Sequence, residues 1–450
     1  MQQSNQSMLR GPLLRSIVSY TIPIILTSVI QLLFNAADLI IVGRYCGSRS
    51  VAAVGATGAI TNLIINFFIG LSVGAGVTVA HALGGREDKA VHCIVHTALP
   101  TALVSGVILT VVGVGLSETF LRWMATPETV LPLSAIYMKI YFGGITFTMV
   151  YNFCAAILRA AGDTKSPLIY LSLAGVINVV LNILFVTEFH MNVAGVALAT
   201  TISQGVSALL VTLALIRRTD ACHLEWQKMK FYPQYLGKMV RIGLPAGIQG
   251  SLFSISNVMV QSSVNAFGDV FMSGNAASAN LESFVYVAMN AFHQTAVNFI
   301  GQNLGARQYQ RIRKTLWTCL GCVTIVGFGM GFGLWLMGPQ LLSFYITDSA
   351  QAVSYGMLRL SMICLTYFIC GWMDVSTGAL RGLGASLEPM IISVLGVCGL
   401  RIGWIYTIFQ IPQFHTPQCL YLSYPISWLL TFAFQLTAFF FVFRKISKKQ

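Results

Sequence analysis

Charge is what this sequence has least of. Only 9% of its 450 residues are Asp, Glu, Lys or Arg, against about 25% in soluble globular domains. Acids are the scarcer sign, 14 against 27 bases. A chain that is 56% hydrophobic, with a mean hydropathy of +0.74, cannot hide its apolar surface in one soluble core. It reads as an all-α, polytopic membrane protein. Other absences narrow the function. No P-loop signature (Gly, four residues, then Gly-Lys and Ser or Thr) occurs, so ATP drive is unsupported. No nucleophile–base pair is evident at an interface, so an enzyme is not expected. The ten Cys lie mostly inside apolar runs, where Cys behaves as a small hydrophobe. The one CxxC, Cys319–Cys322, falls within a predicted span, and neither a disulfide framework nor a metal site is expected. His92 and His96 lie one helical turn apart around Cys93, with no fourth zinc ligand in sequence reach. The polar start, MQQSNQSMLRGPLLR, and the long first apolar run argue against a cleavable signal peptide.

What is there is a series of twelve apolar stretches, near 14–42, 51–82, 91–117, 131–158, 168–187, 193–216, 237–266, 271–303, 314–338, 350–379, 388–410 and 419–443. Several exceed the ~20 residues needed to cross a bilayer, which implies tilt or bending. Pro23 and Pro245 fall inside the first and seventh, where proline kinks or loosens a helix. The net charge of +13 sits in the short breaks between runs. With both termini cytoplasmic, most Lys and Arg fall on the inner side, as the positive-inside rule requires, and nucleic acid is not an expected partner. The longest polar break, 217–236, separates an N-terminal lobe (1–216) from a C-terminal lobe (237–450), each of six spans.

The halves repeat. ILRAAGDTKSPL (157–168) lies on ALRGLGASLEPM (379–390), Pro23 on Pro245 and Asn35 on Asn257, all 222 residues apart; HALGGR (81–86) lies on QNLGAR (302–307) one residue closer. An even number of spans per half makes the repeats parallel, related by a pseudo-twofold axis along the membrane normal with the substrate path between them. Asp38 has no acidic counterpart, because its mate is Val260.

Asp38 stands in an apolar run, and an intramembrane carboxylate is a functional hypothesis by default. Its candidate partners are Asn152 in span four, Asn178 and Asn182 on one face of span five, and Thr200 and Thr201 in span six. Amide and hydroxyl oxygens suit a hard cation or hydrogen-bond a carboxyl. The other intramembrane acids are Glu282 and Asp374, positioned to attract a cationic substrate, to relay protons, or to pair internally with Arg359 or Arg401. Aromatic and Met side chains of the central spans, among them Phe34, Tyr151, Phe284, Met289 and Tyr367, are the candidate cavity lining. His293 is a candidate titrating group. Arg159 and Arg381 are repeat-related and end their helices as topology markers or a latch. Gly70 and Gly74 mark close helix packing.

FNAADLIIVGRYCG in span one, ALGGRED after span two, LRAAGDTKSPL after span four, INVVLNILF and VAGVALATTISQ across spans five and six, and QNLGAR after span eight together resemble the multidrug and toxic compound extrusion (MATE) transporters. The resemblance covers essentially the whole chain. It implies two six-helix lobes in a V shape, and export of cationic or amphipathic drugs or metabolites by proton- or sodium-coupled antiport. In that family an N-lobe aspartate on helix one is supported by Asn on helices four and five and Thr on helix six; the matching positions are Asp38, Asn152, Asn178, Asn182 and Thr200. Some relatives carry a second acid where this chain has Asn182. Acids on helices seven and ten form a cation site in some branches, whereas span seven here has Gln249, Asn257 and Gln261. The expectation is a monomer in the bacterial inner membrane, in contact with lipids, needing no cofactor beyond H+ or Na+. The alternative is a lipid-linked oligosaccharide flippase of the same superfamily, disfavoured at this point because lone acids outnumber buried bases.

Overall fold

The computed structural model describes residues 8–448, except residues 125 and 348 and the side chains of Ser48 and Ala59. Twelve helical spans follow one another: α1 (Leu13–Cys46), α2 (Ser48–Gly84), α3 (Asp88–Trp123), α4 (Leu131–Gly143 and Ile145–Ala160), α5 (Lys165–Ile183, extended by the π turn Leu184–Glu188) and α6 (Asn192–Ile216). After the linker come α7 (Pro233–Asn265), α8 (Asp269–Gly305), α9 (Tyr309–Leu336), α10 (Ala350–Ile363 and Tyr367–Gly382), α11 (Leu387–Ser393, the π segment Val394–Gly399, and Leu400–Tyr406) and α12 (Pro417–Ser447). Among the described residues there is no strand. Among the described residues nine helices are long and apolar enough to cross a membrane, and α4, bent by 45° at Gly144, makes a tenth. The remaining two, α7 and α8, are long enough, at 33 and 37 residues, but more polar. All twelve lie over the apolar stretches of the sequence.

The internal repeat extends to backbone conformation. Gly162 and Gly384, at φ 87° and 82°, end α4 and α10 in the left-handed region, where a side chain is disfavoured. Each closes a Schellman turn: Gly162 N–H donates to Arg159 O and Asp163 N–H to Leu158 O, while Gly384 N–H donates to Arg381 O and Ala385 N–H to Leu380 O. Arg86 and Arg307, also repeat mates, end α2 and α8 the same way at φ 56° and 57°.

The chain packs as two compact units. The first is Leu26–Gly247; the second joins the described residues up to Ile25 to those from Ile248 onward. The sequence put the division at 217–236 and gave all of α1 to the first lobe; the partition falls instead within α1 and within α7. Packing explains the shift. In the first unit, Gly70 and Gly74 of α2 bring its backbone against Met239, Gly243 and Gly247 of α7, so close that a Cβ at either position would meet α7 backbone. In the second unit, Tyr20 meets Phe299 edge-on at 5.3 Å, the Thr21 and Thr295 hydroxyls are 2.8 Å apart, and Arg311 donates to Met8 O at 2.9 Å and Gly11 O at 3.2 Å.

The linker is docked, not a loose tether. Cys222 and Leu224 are buried. Glu225 N–H donates to His96 Nε2 at 3.0 Å, Lys230 N–H to His96 O at 3.2 Å and Tyr232 N–H to Thr97 Oγ1 at 3.3 Å, all on α3. His92 stacks on His96 at 3.9 Å, and among the described residues no cluster of potential metal ligands forms there. Arg218 Nε donates to Asp220 at 2.9 Å, and Cys222 N–H donates to the same carboxylate at 3.0 Å.

Two outcomes follow from this packing. Gly74→Val places a branched side chain against Met239 O, and overpacking of this kind costs about 1–3 kcal/mol; a lowered melting temperature of the detergent-purified protein is expected, and an unchanged one would refute the close crossing. The linker carries a pH dependence. Burial alone would raise the Asp220 pKa, but the Arg218 hydrogen bond and charge and the Cys222 amide outweigh it, so the carboxyl is held below its usual range. A depressed folded value contributes stability above the unfolded pKa of about 4 and loses it as pH falls through the folded value. Hydrogen exchange at Cys222 and Leu224, corrected for intrinsic rates, should therefore stay protected from pH 7 to about 5 and rise below about 4. Asp220→Asn should raise exchange at pH 7 and flatten the profile.

Candidate functional site

In the first unit, α1, α5 and α6 bring together four of the five residues expected at the coupling site. Asn178 and Asn182 lie one turn apart on α5, both buried. Asn182 Nδ2 donates to Asp38 Oδ1 and to Asn178 Oδ1, the latter at 3.2 Å. Asn178 Nδ2 donates to Thr200 Oγ1 at 3.3 Å. The Thr200 hydroxyl proton has two competing acceptors, Val196 O at 3.0 Å and the Asp38 carboxylate. Asn182 Oδ1 is buried and has no hydrogen-bond partner among the described residues. The cluster is therefore rich in acceptors and poor in donors. An added proton or a small hard cation would meet both the carboxylate and the orphaned amide oxygen.

Asn152 stands apart from this chain of bonds: its Nδ2 donates at 2.8 Å to Thr148 O, on its own helix. Tyr137, on the first arm of α4, lies near Asp38 and packs against the small core of Ile41, Val42, Val186 and Val196. Sequence reasoning missed Tyr137. The available signal was the Tyr137–Tyr141 spacing of one turn; the two rings stack at 6.2 Å. Phe34 lies against Gly175 of α5, filling the groove that this glycine leaves. Tyr151 is buried, with its hydroxyl unpartnered.

In the second unit the acids have different fates. Glu282 is not free: Arg359 grips it with both arms, Nε to Oε1 at 2.8 Å and Nη2 to Oε2 at 2.7 Å. Arg359 Nη1 also donates to Asn275 Oδ1 at 2.6 Å, and Tyr421 donates to the same oxygen at 3.1 Å. Of the roles open to Glu282, internal pairing is the one realised. Asp374 keeps a buried Oδ2 without a partner. Its backbone carbonyl accepts from His293 Nδ1 at 2.7 Å, which makes Nδ1 the protonated nitrogen and leaves Nε2 to face Arg381 Nη1 at 3.3 Å as an acceptor. Arg381 also donates to Gln249 Oε1 at 2.9 Å. Arg381 is thus tied into this buried network, not free as a helix-end latch.

Three residues expected on a cavity wall belong to the core instead: Tyr151, Met289 and Tyr367. Met289 has no exposed surface, and its sulfur sits between Gly327 of α9 and Gly371 of α10. Tyr367 is buried against Trp428 at 5.2 Å. Phe284 is partly exposed. The expected excess of lone acids over buried bases also fails here: Arg359, Arg381 and Arg401 are all buried, against Glu282 and Asp374.

Comparison with known proteins agrees with this architecture. The MatE family model matches residues 23–184 and 245–407, and the two matches begin 222 residues apart, at Pro23 and Pro245, the offset of the internal repeat. The probable multidrug resistance protein YpnP of Bacillus subtilis is 29% identical over 395 residues, covering 87% of each chain. The probable multidrug resistance protein NorM of Thermotoga maritima is 25% identical over 396 residues, covering 86% of this chain and 84% of the relative. A multidrug resistance MATE family transporter in its outward-facing conformation superposes with a TM-score of 0.90 at 20% identity, covering 98% of both chains. A Pyrococcus furiosus transporter described as having a binding pocket of reverse polarity superposes at 0.89, also at 20% identity, over 99% and 98%. The fold is thus that of the MATE transporters.

The Glu282–Arg359 pair should behave as a structural clamp. Arg359→Met leaves a buried carboxylate unpaired, a loss of about 3–5 kcal/mol. Adding Glu282→Leu should recover most of it, as read from thermal unfolding in detergent; a single variant as stable as the parent would remove the clamp.

Proposed function

Because the chain belongs to the MatE family, we propose that it is a secondary active multidrug exporter that couples entry of H+ or Na+ at Asp38 to the exit of small amphipathic compounds, cations included. The family and its relatives make it a multi-pass membrane protein that moves small molecules. The observation that carries the coupling role is the buried, unpartnered Asn182 Oδ1 beside the Asp38 carboxylate. A proton on Asp38 would have that oxygen to donate to. A sodium ion would be held by the carboxylate and the amide and hydroxyl oxygens around it. Either occupant removes a buried negative charge from a unit that has no basic partner for it within this cluster.

Coupling demands more than binding. The ion must favour one of the outward-open and inward-open states, since equal affinity for both shifts nothing. Asp38 suits this role because α1 is one of the two helices divided between the compact units. Asn152 joins the site in this reading only if its amide leaves Thr148 O. The basic breaks favour a plasma-membrane orientation with both termini cytoplasmic. The protein acts as a monomer surrounded by lipid.

Ethidium transport in inverted membrane vesicles, with proton and sodium gradients imposed separately, tests the reading. The parent should move ethidium with one of the two gradients. Asp38→Asn keeps the shape but not the exchangeable charge, and should cut coupled transport by about tenfold or more at normal abundance. Unimpaired transport by this variant would remove Asp38 from the coupling step.

A further inference from the structure

The internal repeat pairs two helix faces that meet different fates. Carried on from QNLGAR, the offset of 221 sets His92 on Arg313, His96 on Trp317 and Thr97 on Thr318. In the first unit this face of α3 is covered. His96 is fully buried, and the linker amides of Glu225 and Tyr232 donate to His96 and Thr97. In the second unit the matching face of α9 is bare. Trp317 is 53% exposed, and the Thr318 hydroxyl turns back to Lys314 O of its own helix at 2.8 Å. The segment before α1 does not cover this face; it engages Arg311, whose guanidinium is taken by Met8 O and Gly11 O.

The bare face is also basic throughout. Arg307, Arg313 and Lys314 are exposed around the start of α9, and Arg444, Lys445 and Lys448 at the end of α12. The two ends are neighbours, since Tyr309 lies 6.1 Å from Phe443 and Trp317 6.4 Å from Phe440, ring to ring. Among the described residues none of the six bases is in an ion pair. No acid occurs between Glu282 and Asp348 or after Glu388, and Gln308 and Tyr309 stand where the first half has Glu87 and Asp88. Glu388, exposed in the first turn of α11, is unpaired in the same sense. One turn along each helix from its bases stands an exposed ring, Trp317 on α9 and Phe441, 74% exposed, on α12. Bases at headgroup level with aromatic rings just beneath them match the layering of a membrane interface.

We infer that the paired ends of α9 and α12 form a binding site for an anionic phospholipid. The bases take the headgroup phosphate, by charge-assisted hydrogen bonds from the guanidinium groups and by the ammonium charges of the lysines. The acyl chains lie along Trp317 and Phe441, on the exposed apolar sides of the two helices. Lipid thus covers in the second unit the face that the linker covers in the first. A phospholipid is favoured over a soluble anion because the bases and the exposed rings lie on the same two helix faces, so one ligand with a charged head and apolar chains meets both. The inference goes beyond the exporter reading and needs only that the chain lie in a bilayer.

The test gives the delipidated full chain in detergent an equimolar mixture of phosphatidylglycerol and phosphatidylcholine with the same acyl chains. Native mass spectrometry then counts the lipids bound. Phosphatidylglycerol should be preferred by about fivefold or more, the factor that one base near an anionic surface supplies. Equal binding of the two lipids by the parent overturns the proposal without any variant. Arg313→Gln, Lys314→Gln and Lys445→Gln together should abolish the preference. Arg86→Gln, Lys89→Gln and Arg217→Gln together remove the same charge from the first unit and should leave it in place. An equal loss in both triple variants would mean that only net charge is read, and overturns the site. Melting curves of each variant verify folding. Excess glycerol 3-phosphate should not displace the lipid; displacement would assign the bases to a soluble phosphate and overturn the lipid. Transport is not a readout here, so failure of export and failure of lipid binding remain distinct results.

Discussion

A polar group placed among apolar helices must find its partner inside the protein, because hydrocarbon offers none. That constraint orders most of what is distinctive here. Where the demand is met in full, as at Glu282, Arg359, Asn275 and Tyr421, the side chains lock α8, α10 and α12 together. Where it is met in part, as at Asp38 and Asn182, an atom is left waiting. The two situations use the same residue types, and what separates a clamp from a working group is the balance of donors and acceptors. A charge held by two hydrogen bonds from an opposite charge has nothing to exchange. A carboxylate held by an amide and a hydroxyl keeps a charge that no basic side chain of its cluster balances.

The same constraint acts at the helix ends and the linker. Residues 217–232 are polar by composition, yet Leu224 and Cys222 are buried and the backbone is used by His96 and Thr97. Docking this segment on α3 means that α7 starts its course within the first unit, where the glycines of α2 receive it. At the other repeat-related position, Arg311 and Asn303 receive the backbone just before α1 in the second unit. Each unit thus holds the opening segment of a helix whose remainder belongs to the other. The two holds differ chemically, one built on neutral imidazole and hydroxyl groups and one on a guanidinium.

The number and order of the helices were legible in the sequence because twelve apolar stretches separated by basic breaks admit one reading. The repeat was legible for the same reason that the Schellman turns recur: glycine at 162 and 384 is a backbone requirement and leaves a sequence mark. Asp38, Asn178, Asn182 and Thr200 could be grouped because one helical turn and two adjacent spans put them near one another. What the sequence did not disclose depends on rotation about helix axes. Whether Met289 faces a cavity or the α9–α10 contact is set by Gly327 and Gly371, far away in the chain. Whether Asn152 joins Asp38 or bonds to Thr148 is a choice of rotamer. The division of α1 and α7 between the units falls two residues after Pro23 and Pro245, and the bend of α4 falls at Gly143 and Gly144, so the sequence marked where these helices loosen but not which unit each part would join.

Duplication followed by divergence gives a way to tell scaffold from chemistry. The turns, the prolines and the glycine ends are shared between the halves, whereas the unsatisfied buried groups mostly are not. Asp38 is matched by Val260, Asn182 by Trp404, Arg401 by Val179 and Asp374 by Asn152. At each position one half carries a charge or a free polar atom where the other carries an apolar or neutral side chain. If these groups served only to hold helices together, the shared backbone would give both halves the same need for them. Their confinement to one half each means that the frame tolerates their loss. Their cost in the membrane is then offset by something outside the frame, which at Asp38 is, in the proposed reading, the coupling ion.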